Sequence, residues 1–164
     1  MGKSGTRPGY QVNQLFLGSY EHTMDEKGRV SLPARFREIL GGEGDARLIV
    51  TTNVDPGGSC LVAYPLKEWL AFQERIAGLP QFDEAVIQLK RLHVAGACEC
   101  APDRQGRILI PAMLREYAGL RGEVLFAGLG ASIEIWDKAR WEEERARAKQ
   151  NLTGINEAIA RLGL

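Results

Sequence analysis

One stretch of this chain occurs twice, and that repetition limits the possible folds more than any other feature. Asp25-Glu26-Lys27-Gly28-Arg29-Val30-Ser31-Leu32-Pro33-Ala34-Arg35-Phe36-Arg37-Glu38 is followed seventy-eight positions later by Asp103-Arg104-Gln105-Gly106-Arg107-Ile108-Leu109-Ile110-Pro111-Ala112-Met113-Leu114-Arg115-Glu116. The copies share Asp, Gly, Arg, Pro, Ala, Arg and Glu at the same seven offsets, and the intervening apolar positions stay apolar. Backwards, Gly18-x-x-Glu21 matches Gly96-x-x-Glu99. Forwards, after small deletions, Leu48-Ile49-Val50 pairs with Val124-Leu125-Phe126, and Tyr64 and Trp69 pair with Trp136 and Trp141. A similarity of this extent describes one structural unit used twice. Each unit alone, at about 70–75 residues, has a marginal core. The halves are therefore expected to bury each other or to associate further.

Within each copy the punctuation is clear. Leu15 to Thr23 is rich in apolar, aromatic and β-branched residues and reads as a strand. Asp25 to Gly28 has the make-up of a tight turn, with an Asp side chain able to accept backbone N–H groups and a Gly able to take positive φ. Arg29 to Leu32 resumes as a strand, with Val30 and Leu32 on one face and Arg29 and Ser31 on the other. Pro33 suits the first position of a short helix, whose apolar side is Phe36, Ile39 and Leu40 and whose stop is Gly41-Gly42. Strands Leu48 to Thr52 and Cys60 to Tyr64 flank the turn signal Asp55-Pro56-Gly57-Gly58. Pro65 opens a longer helix carrying Trp69, Leu70, Phe72 and Ile76. A further helical pattern from about Asp83 to Arg91 places Val86, Leu89 and Leu92 on its inner side. The order then recurs: strand, turn and strand across Val94 to Ile110, a short helix from Pro111, two strands, and a charged helix from Asp137 to about Lys149. Ile155, Ile159 and Leu162 recur at helical spacing beyond it, in either a terminal helix or a disordered tail. The expected organisation is a leader over residues 1–14, a first repeat over 15–92, a second over 93–149 and a tail over 150–164.

The bulk numbers narrow the function classes. Lys plus Arg and Asp plus Glu both number 21, so the net charge is zero. This argues against indiscriminate coating of polyanions, while leaving room for a local basic patch, because the field at a surface depends on where the charges sit. No apolar run reaches the ~18 residues of a membrane span. Met1 to Gln14 is polar, contains Gly, Ser and Pro and lacks a signal-peptide layout, so it reads as a mobile leader of a soluble cytoplasmic protein. Three cysteines form no disulfide framework. Cys98-Glu99-Cys100, with His93 five residues upstream, has the elements of a metal site, but zinc sites usually use Cys-x2-4-Cys with a second pair elsewhere. The matching first-half positions are Tyr20 and His22, as on an ordinary strand face. Neither a metal nor another cofactor is expected.

The chemistry of the repeated element lies in its turn. Gly28 and Gly106 let the backbone bend, and Arg29 and Arg107 then project at equivalent places. Lys27 and Arg104 lie within the turns, and Arg35, Arg37 and Arg115 on the short helices. A two-stranded hairpin edged by Arg can lie in a major groove or clamp phosphates, and Arg suits bidentate contact with either. The competing reading is a solvated turn in which Asp25, Lys27 and Arg29 pair with one another. An enzymatic reading would bring Asp25 and Asp103 together as an acid–base pair. Against it, each Asp opens a tight turn three residues before its Gly, and neither a Ser-His-Asp set nor a Gly-rich phosphate loop is present. A non-enzymatic protein is expected.

The doubled Asp-x-x-Gly-Arg-(apolar)-x-(apolar)-Pro-Ala-x-(apolar)-Arg pattern, with the Tyr64-Pro65 and Trp136-Asp137 segments closing each half, resembles the MraZ family of bacterial transcriptional regulators. The resemblance covers nearly the whole chain from Phe16 to Trp141. It implies an α+β fold of two tandem AbrB-like swapped-hairpin repeats, interlocked into one pseudo-symmetric β-barrel-like unit. It also implies a ring-like homo-oligomer, typically an octamer, that binds double-stranded DNA at direct repeats in the promoter of the division and cell-wall gene cluster. Such a protein is cytoplasmic and nucleoid-associated. The implied DNA contacts fall on Lys27 and Arg29 of the first motif and Arg107 of the second, with Arg104, Arg35, Arg37 and Arg115 as further candidates. Asp25, Gly28, Asp103 and Gly106 are implied to shape the turns. Arg37 and Arg115, each followed by Glu, are alternatively structural ion pairs that hold helix to hairpin. The second turn has Gln105 where the first has Lys27, which makes the first hairpin the better candidate for the reading edge. The alternative function is an oligomeric scaffold or antitoxin-like module that binds protein.

Overall fold

In the computed structural model, which describes residues 11–164, the repeat governs strand pairing. The first half contributes β1 (Ser19–Thr23), β2 (Arg29–Ser31), α1 (Ala34–Gly42), β3 (Leu48–Thr52), β4 (Leu61–Pro65), α2 (Leu66–Ala77) and α3 (Glu84–Leu89). The second contributes β5 (Cys98–Cys100), β6 (Arg107–Leu109), α4 (Ala112–Ala118), β7 (Glu123–Gly128), β8 (Ile133–Asp137), α5 (Lys138–Gln150) and α6 (Leu152–Leu162). Of the leader expected over residues 1–14, residues 1–10 lie outside the described residues, and Val12–Gln14 forms a short 3-10 turn.

The two arms of each turn do not pair with each other. β1 pairs with β7 and β5 with β3, so the first strand of each half joins the third strand of the other. β2 pairs with β6 and β4 with β8, all antiparallel. The result is a six-stranded sheet in the order β1-β7-β8-β4-β3-β5 and a separate two-stranded ribbon of β2 and β6. This is the exchange that the swapped-hairpin resemblance implies, and it makes the Arg-edged ribbon a joint product of both halves. The turns themselves are present: the Asp25 N–H donates to the Arg29 carbonyl at 2.9 Å and the Gly28 N–H to the Asp25 carbonyl at 3.0 Å. The arms diverge because an isolated two-stranded hairpin is marginal in water. Crossing to the other half instead buries Val30 and Ile108 in a shared interior. The barrel implied by the family does not close as one ladder, since the sheet order ends at β1 and β5 and the ribbon stands apart from it.

That interior is one cluster drawn from both halves. Equivalent positions differ in volume in opposite senses: Leu40 corresponds to Ala118, Val50 to Phe126 and Ala63 to Ile135, all buried. Native interiors pack to near-crystalline density, so a large residue in one repeat is matched by a small one in the other only if the two are filled together. Each half is therefore structurally incomplete without its partner half.

Proline marks three strand-to-helix transitions. Pro33, Pro65 and Pro111 stand immediately before α1, α2 and α4, with φ of −51°, −56° and −58°. Their fixed φ fits both an extended approach and a helical start, and the missing N–H ends the preceding ladder. Three local expectations are revised. The opening strand of the second half begins at Cys98 rather than Val94, which ends a π-helical turn. β1 begins at Ser19 rather than Leu15, because Gly18 turns the chain at φ 86° and Phe16 makes only an isolated bridge to Gly130. Leu92 does not lie on the inner side of its helix: α3 continues into a π-helical turn (Lys90–Val94) that widens the spiral, leaving Leu92 63% exposed and burying His93. The terminal segment is helical, as α6, with its apolar residues turned to the surface.

Candidate nucleic-acid interface

The ribbon sorts its side chains by the alternation of extended chain. Its register pairs Arg29 with Leu109, Val30 with Ile108 and Ser31 with Arg107. Val30 and Ile108 enter the core, so Arg29, Ser31, Arg107 and Leu109 all face outward. Two further bonds extend the ladder, from the Leu32 N–H to the Gly106 carbonyl and from the Ile110 N–H to the Gly28 carbonyl, each at 2.9 Å. The two turns thus cap opposite ends of one ribbon. Arg29 and Arg107 stand on the same face as diagonal neighbours, about 7–8 Å apart in the usual antiparallel geometry. Residues seventy-eight positions apart in sequence are in this way brought onto one surface.

Each arginine is held by the Asp that opens its own turn. Asp25 Oδ1 accepts the N–H groups of Lys27 at 3.0 Å and Arg29 at 2.9 Å, and Oδ2 accepts Arg29 Nε at 2.7 Å. Asp103 repeats the pattern with Gln105 and Arg107, both at 2.9 Å, and with Arg107 Nε at 3.0 Å. The backbone N–H of Arg29, then its side chain, holds the Asp25 carboxyl below its usual range, and Arg107 does the same for Asp103. Both stay ionised near neutral pH. Their separation at opposite ends of the ribbon removes the acid–base pair that an enzymatic reading would need. The pairing expected among Asp25, Lys27 and Arg29 holds for Arg29 but leaves the Lys27 ammonium unpaired among the described residues. Asp takes only Nε of each arginine, and the terminal nitrogens make no hydrogen bond among the described residues, which leaves donors of the kind that bind a guanine edge or a phosphate.

The remaining candidates divide. Lys27 and Arg104 are exposed in the turns and form no ion pair among the described residues. Arg35 pairs with Glu38 at 3.1 Å on the surface of α1. Arg37 and Arg115 make no ion pair with the Glu that follows each of them. Instead they reach across to the opposite half: Arg37 lies over Gly106 and Arg115 over Gly28. Arg115 Nε is buried without a hydrogen-bond partner. The strand exchange, invisible in the pattern of either half alone, is what creates these contacts. Leu109 is a further outward residue of the ribbon that the sequence pattern did not single out. The signal available for it was its alignment with the plainly polar Ser31.

His93 and Cys100 are buried, and Cys98 is partly buried against the core. His93 is buried with Nδ1 2.8 Å from the Thr52 carbonyl and Nε2 3.3 Å from Tyr64 Oη, among the rings of Tyr64, Trp69 and Phe72. Both ring nitrogens are thereby engaged. Cys100 is buried, which pushes its thiol up to about 12, and no cluster of His, Cys, Asp or Glu able to hold a metal ion occurs among the described residues. Nor, among them, is any helix long and apolar enough to cross a membrane.

A duplicated Asp-x-x-Gly-Arg turn, exchange of first strands between repeats and Pro-led short helices define an AbrB-like swapped-hairpin protein, duplicated within one chain. A family model described as "MraZ protein, putative antitoxin-like" matches residues 15–92 and again residues 94–161. The chain belongs to the MraZ family. It is 41% identical over 150 residues to the transcriptional regulator MraZ of Caldicellulosiruptor saccharolyticus, covering 92% of this chain and 100% of that relative. Identity to the transcriptional regulator MraZ of Acetivibrio thermocellus is also 41%, over the same shares of the two chains. The transcriptional regulator MraZ of Carboxydothermus hydrogenoformans is 47% identical over 127 residues, 77% of this chain and 84% of the relative.

Proposed function

We propose that this chain is a sequence-specific DNA-binding transcriptional regulator, acting as a repressor of the division and cell-wall gene cluster that includes its own gene. In this reading it binds direct repeats in the promoter as a ring-like homo-oligomer, in the cytoplasm and on the nucleoid. The observation that carries it is the placement of Arg29 and Arg107 on one outward face of the β2–β6 ribbon, each aimed by an Asp. A two-stranded ribbon fits the major groove. The arginine forks then address base edges or phosphates, while Lys27 and Arg104 reach phosphates from the two ends. A neutral chain that binds through one small face gains from assembly, since linked sites raise avidity by about 10²–10⁴ when their spacing matches the DNA.

The test is a fluorescence-anisotropy titration of the DNA upstream of the protein's own gene at several salt concentrations. Wild type is expected to bind with a steep salt dependence. Arg29→Ala and Arg107→Ala should each weaken binding at least tenfold, and should flatten the log–log slope by about 0.9 for each phosphate no longer neutralised. Unchanged binding by both variants, with oligomer size preserved in sedimentation velocity, would overturn the assigned face. Absence of wild-type binding would overturn the DNA-binding function itself and favour the protein-binding scaffold. That second reading draws on one feature, the exposed stripe Leu152, Ile155, Ile159 and Leu162 along α6.

A further inference from the structure

The two repeats present equivalent outward positions on the ribbon with different chemistry. Arg29 and Arg107 correspond and are identical, whereas Ser31 and Leu109 correspond and are not. Leu109 lies directly across the ladder from Arg29 and two residues from Arg107 along its own strand. It is 57% exposed, although its neighbours Ile108 and Ile110 are fully buried. Leu109 therefore contributes little to the core, and its apolar side chain is exposed on the outward face of the ribbon beside two arginine positions. The difference continues into the helices. Met113 is 65% exposed at the start of α4, where the first repeat has the ion-paired Arg35.

A lone surface leucine needs no explanation, but this one lies on the face that a groove-binding ribbon turns toward the bases. In the major groove only thymine offers an apolar group, its C5-methyl, whereas a hydroxyl bonds to edges of several kinds. We infer that Leu109 is a specificity-determining residue that packs against a thymine methyl beside the base pair addressed by Arg29, while Ser31 faces the pseudo-equivalent base pair with a hydroxyl. The inference rests on the DNA-reading function proposed above and adds a base preference to it. It also gives the recognised element a direction: the arginines alone would read it almost equally in either orientation, and the Ser31–Leu109 difference breaks that symmetry.

The test uses the full chain and the same upstream DNA, in duplexes where each thymine of the protected element is replaced singly by deoxyuridine, which removes only the methyl group. For wild type, one such replacement should weaken binding about fourfold, the worth of one buried methyl-sized group. For Leu109→Ala, affinity for the thymine parent should fall by a similar factor, and the thymine–deoxyuridine difference at that position should vanish. Ser31→Ala should keep that difference. The inference is overturned if wild type binds every substituted duplex as well as the parent, or if Leu109→Ala keeps the full methyl discrimination. A change of oligomer size in Leu109→Ala, without loss of methyl discrimination, would reassign the Leu109–Met113 surface to a protein contact. Failure of wild type to bind the parent duplex would instead remove the underlying function, and the parent titration identifies that case by itself.

Discussion

Arg115, on the short helix of the second repeat, lies across Gly28 in the turn of the first. A Cβ added to Gly28 would sit 2.8 Å from Arg115 Cζ and 2.9 Å from the Ile110 carbonyl oxygen. The pseudo-equivalent contact is Arg37 over Gly106, where an added Cβ would sit 2.7 Å from Arg37 Cζ. Each helix thus braces the turn that belongs to the other half. Both glycines also adopt positive φ, 87° at Gly28 and 75° at Gly106, so each is required by backbone conformation and by the space above it.

Gly28→Ala meets both constraints at once. A non-glycine residue held in this backbone region costs about 1–3 kcal/mol, and the added methyl group collides with backbone as well as with the flexible guanidinium. Thermal denaturation at fixed protein concentration should show a clear fall in Tm, and Gly106→Ala, whose nearest obstacle is the movable Arg37 side chain, should show a smaller one. A variant with wild-type Tm would mean that the turn is not built as described.

Arg115 has two separable attributes, its stem and its charge. The stem covers Gly28, while the charge has no ion-pair partner among the described residues and Nε is buried unbonded. Arg115→Met keeps an unbranched stem of similar length and removes the unpaired polar atom, so stability should change by less than about 1.5 kcal/mol. Arg115→Ala removes the cover and should loosen the first turn more than Arg115→Met does. In DNA titrations Arg115→Met should keep the wild-type salt slope. A slope flattened by about 0.9 would show that Arg115 contacts a phosphate instead of bracing the turn.

Much of this was legible in the chain itself. The Asp, Gly and Arg of each turn act as their residue types suggest, because the Asp-to-backbone and Asp-to-Nε bonds are local and span at most four residues. Pairing partners were not legible in the residue pattern itself. Val30 flanked by Arg29 and Ser31 alternates identically whether β2 pairs with β1 or with β6, since strand patterning specifies a buried face and not a neighbour. The contacts of Arg37 and Arg115 depend on that choice, so helical position and the adjacent Glu pointed to local ion pairs that do not form. Likewise a 3.6-residue period placed Leu92 inward, and one π turn moved His93 into its place.

The turn carboxylates predict an acid limit. Asp25 and Asp103 have folded pKa values depressed below the ordinary 3.8, chiefly by the backbone N–H groups of Arg29 and Arg107. A depressed folded pKa means that the unfolded chain binds the proton more readily, so the contribution is complete above 3.8 and fades as pH falls through the lower folded value. Turn order, followed through the amide resonances of Arg29 and Arg107, should be constant from pH 7 to about pH 5 and decline only below the ordinary carboxylate range. Asp25→Asn should lose that dependence at Arg29 while keeping it at Arg107. A transition near pH 6 in wild type would point to a histidine and contradict the assignment.

The shared interior predicts that the halves unfold together. Phe126 of β7 contacts His22 of β1 edge-on, with centroids 6.0 Å apart, so a core residue of the second half rests on a strand of the first. Fully buried Phe126 is the large partner of Val50 in the duplicated core. Phe126→Ala should cost about 3–5 kcal/mol, a large part of the ~5–15 kcal/mol that a domain of this kind has in total. Trp69 lies in the first half and Trp136 and Trp141 in the second, so tryptophan fluorescence can report each half separately. In urea, a protein carrying only Trp69 and one carrying only the other two should show coincident midpoints, and Phe126→Ala should lower both equally. The physical reason is that exchange adds β1 to the β7–β8 pair of the second half and β5 to the β3–β4 pair of the first, while β4–β8 joins both pairs into one sheet. Separate midpoints, or a shift confined to the second-half probe, would mean that each repeat has an independent core, contrary to the single cluster that spans both.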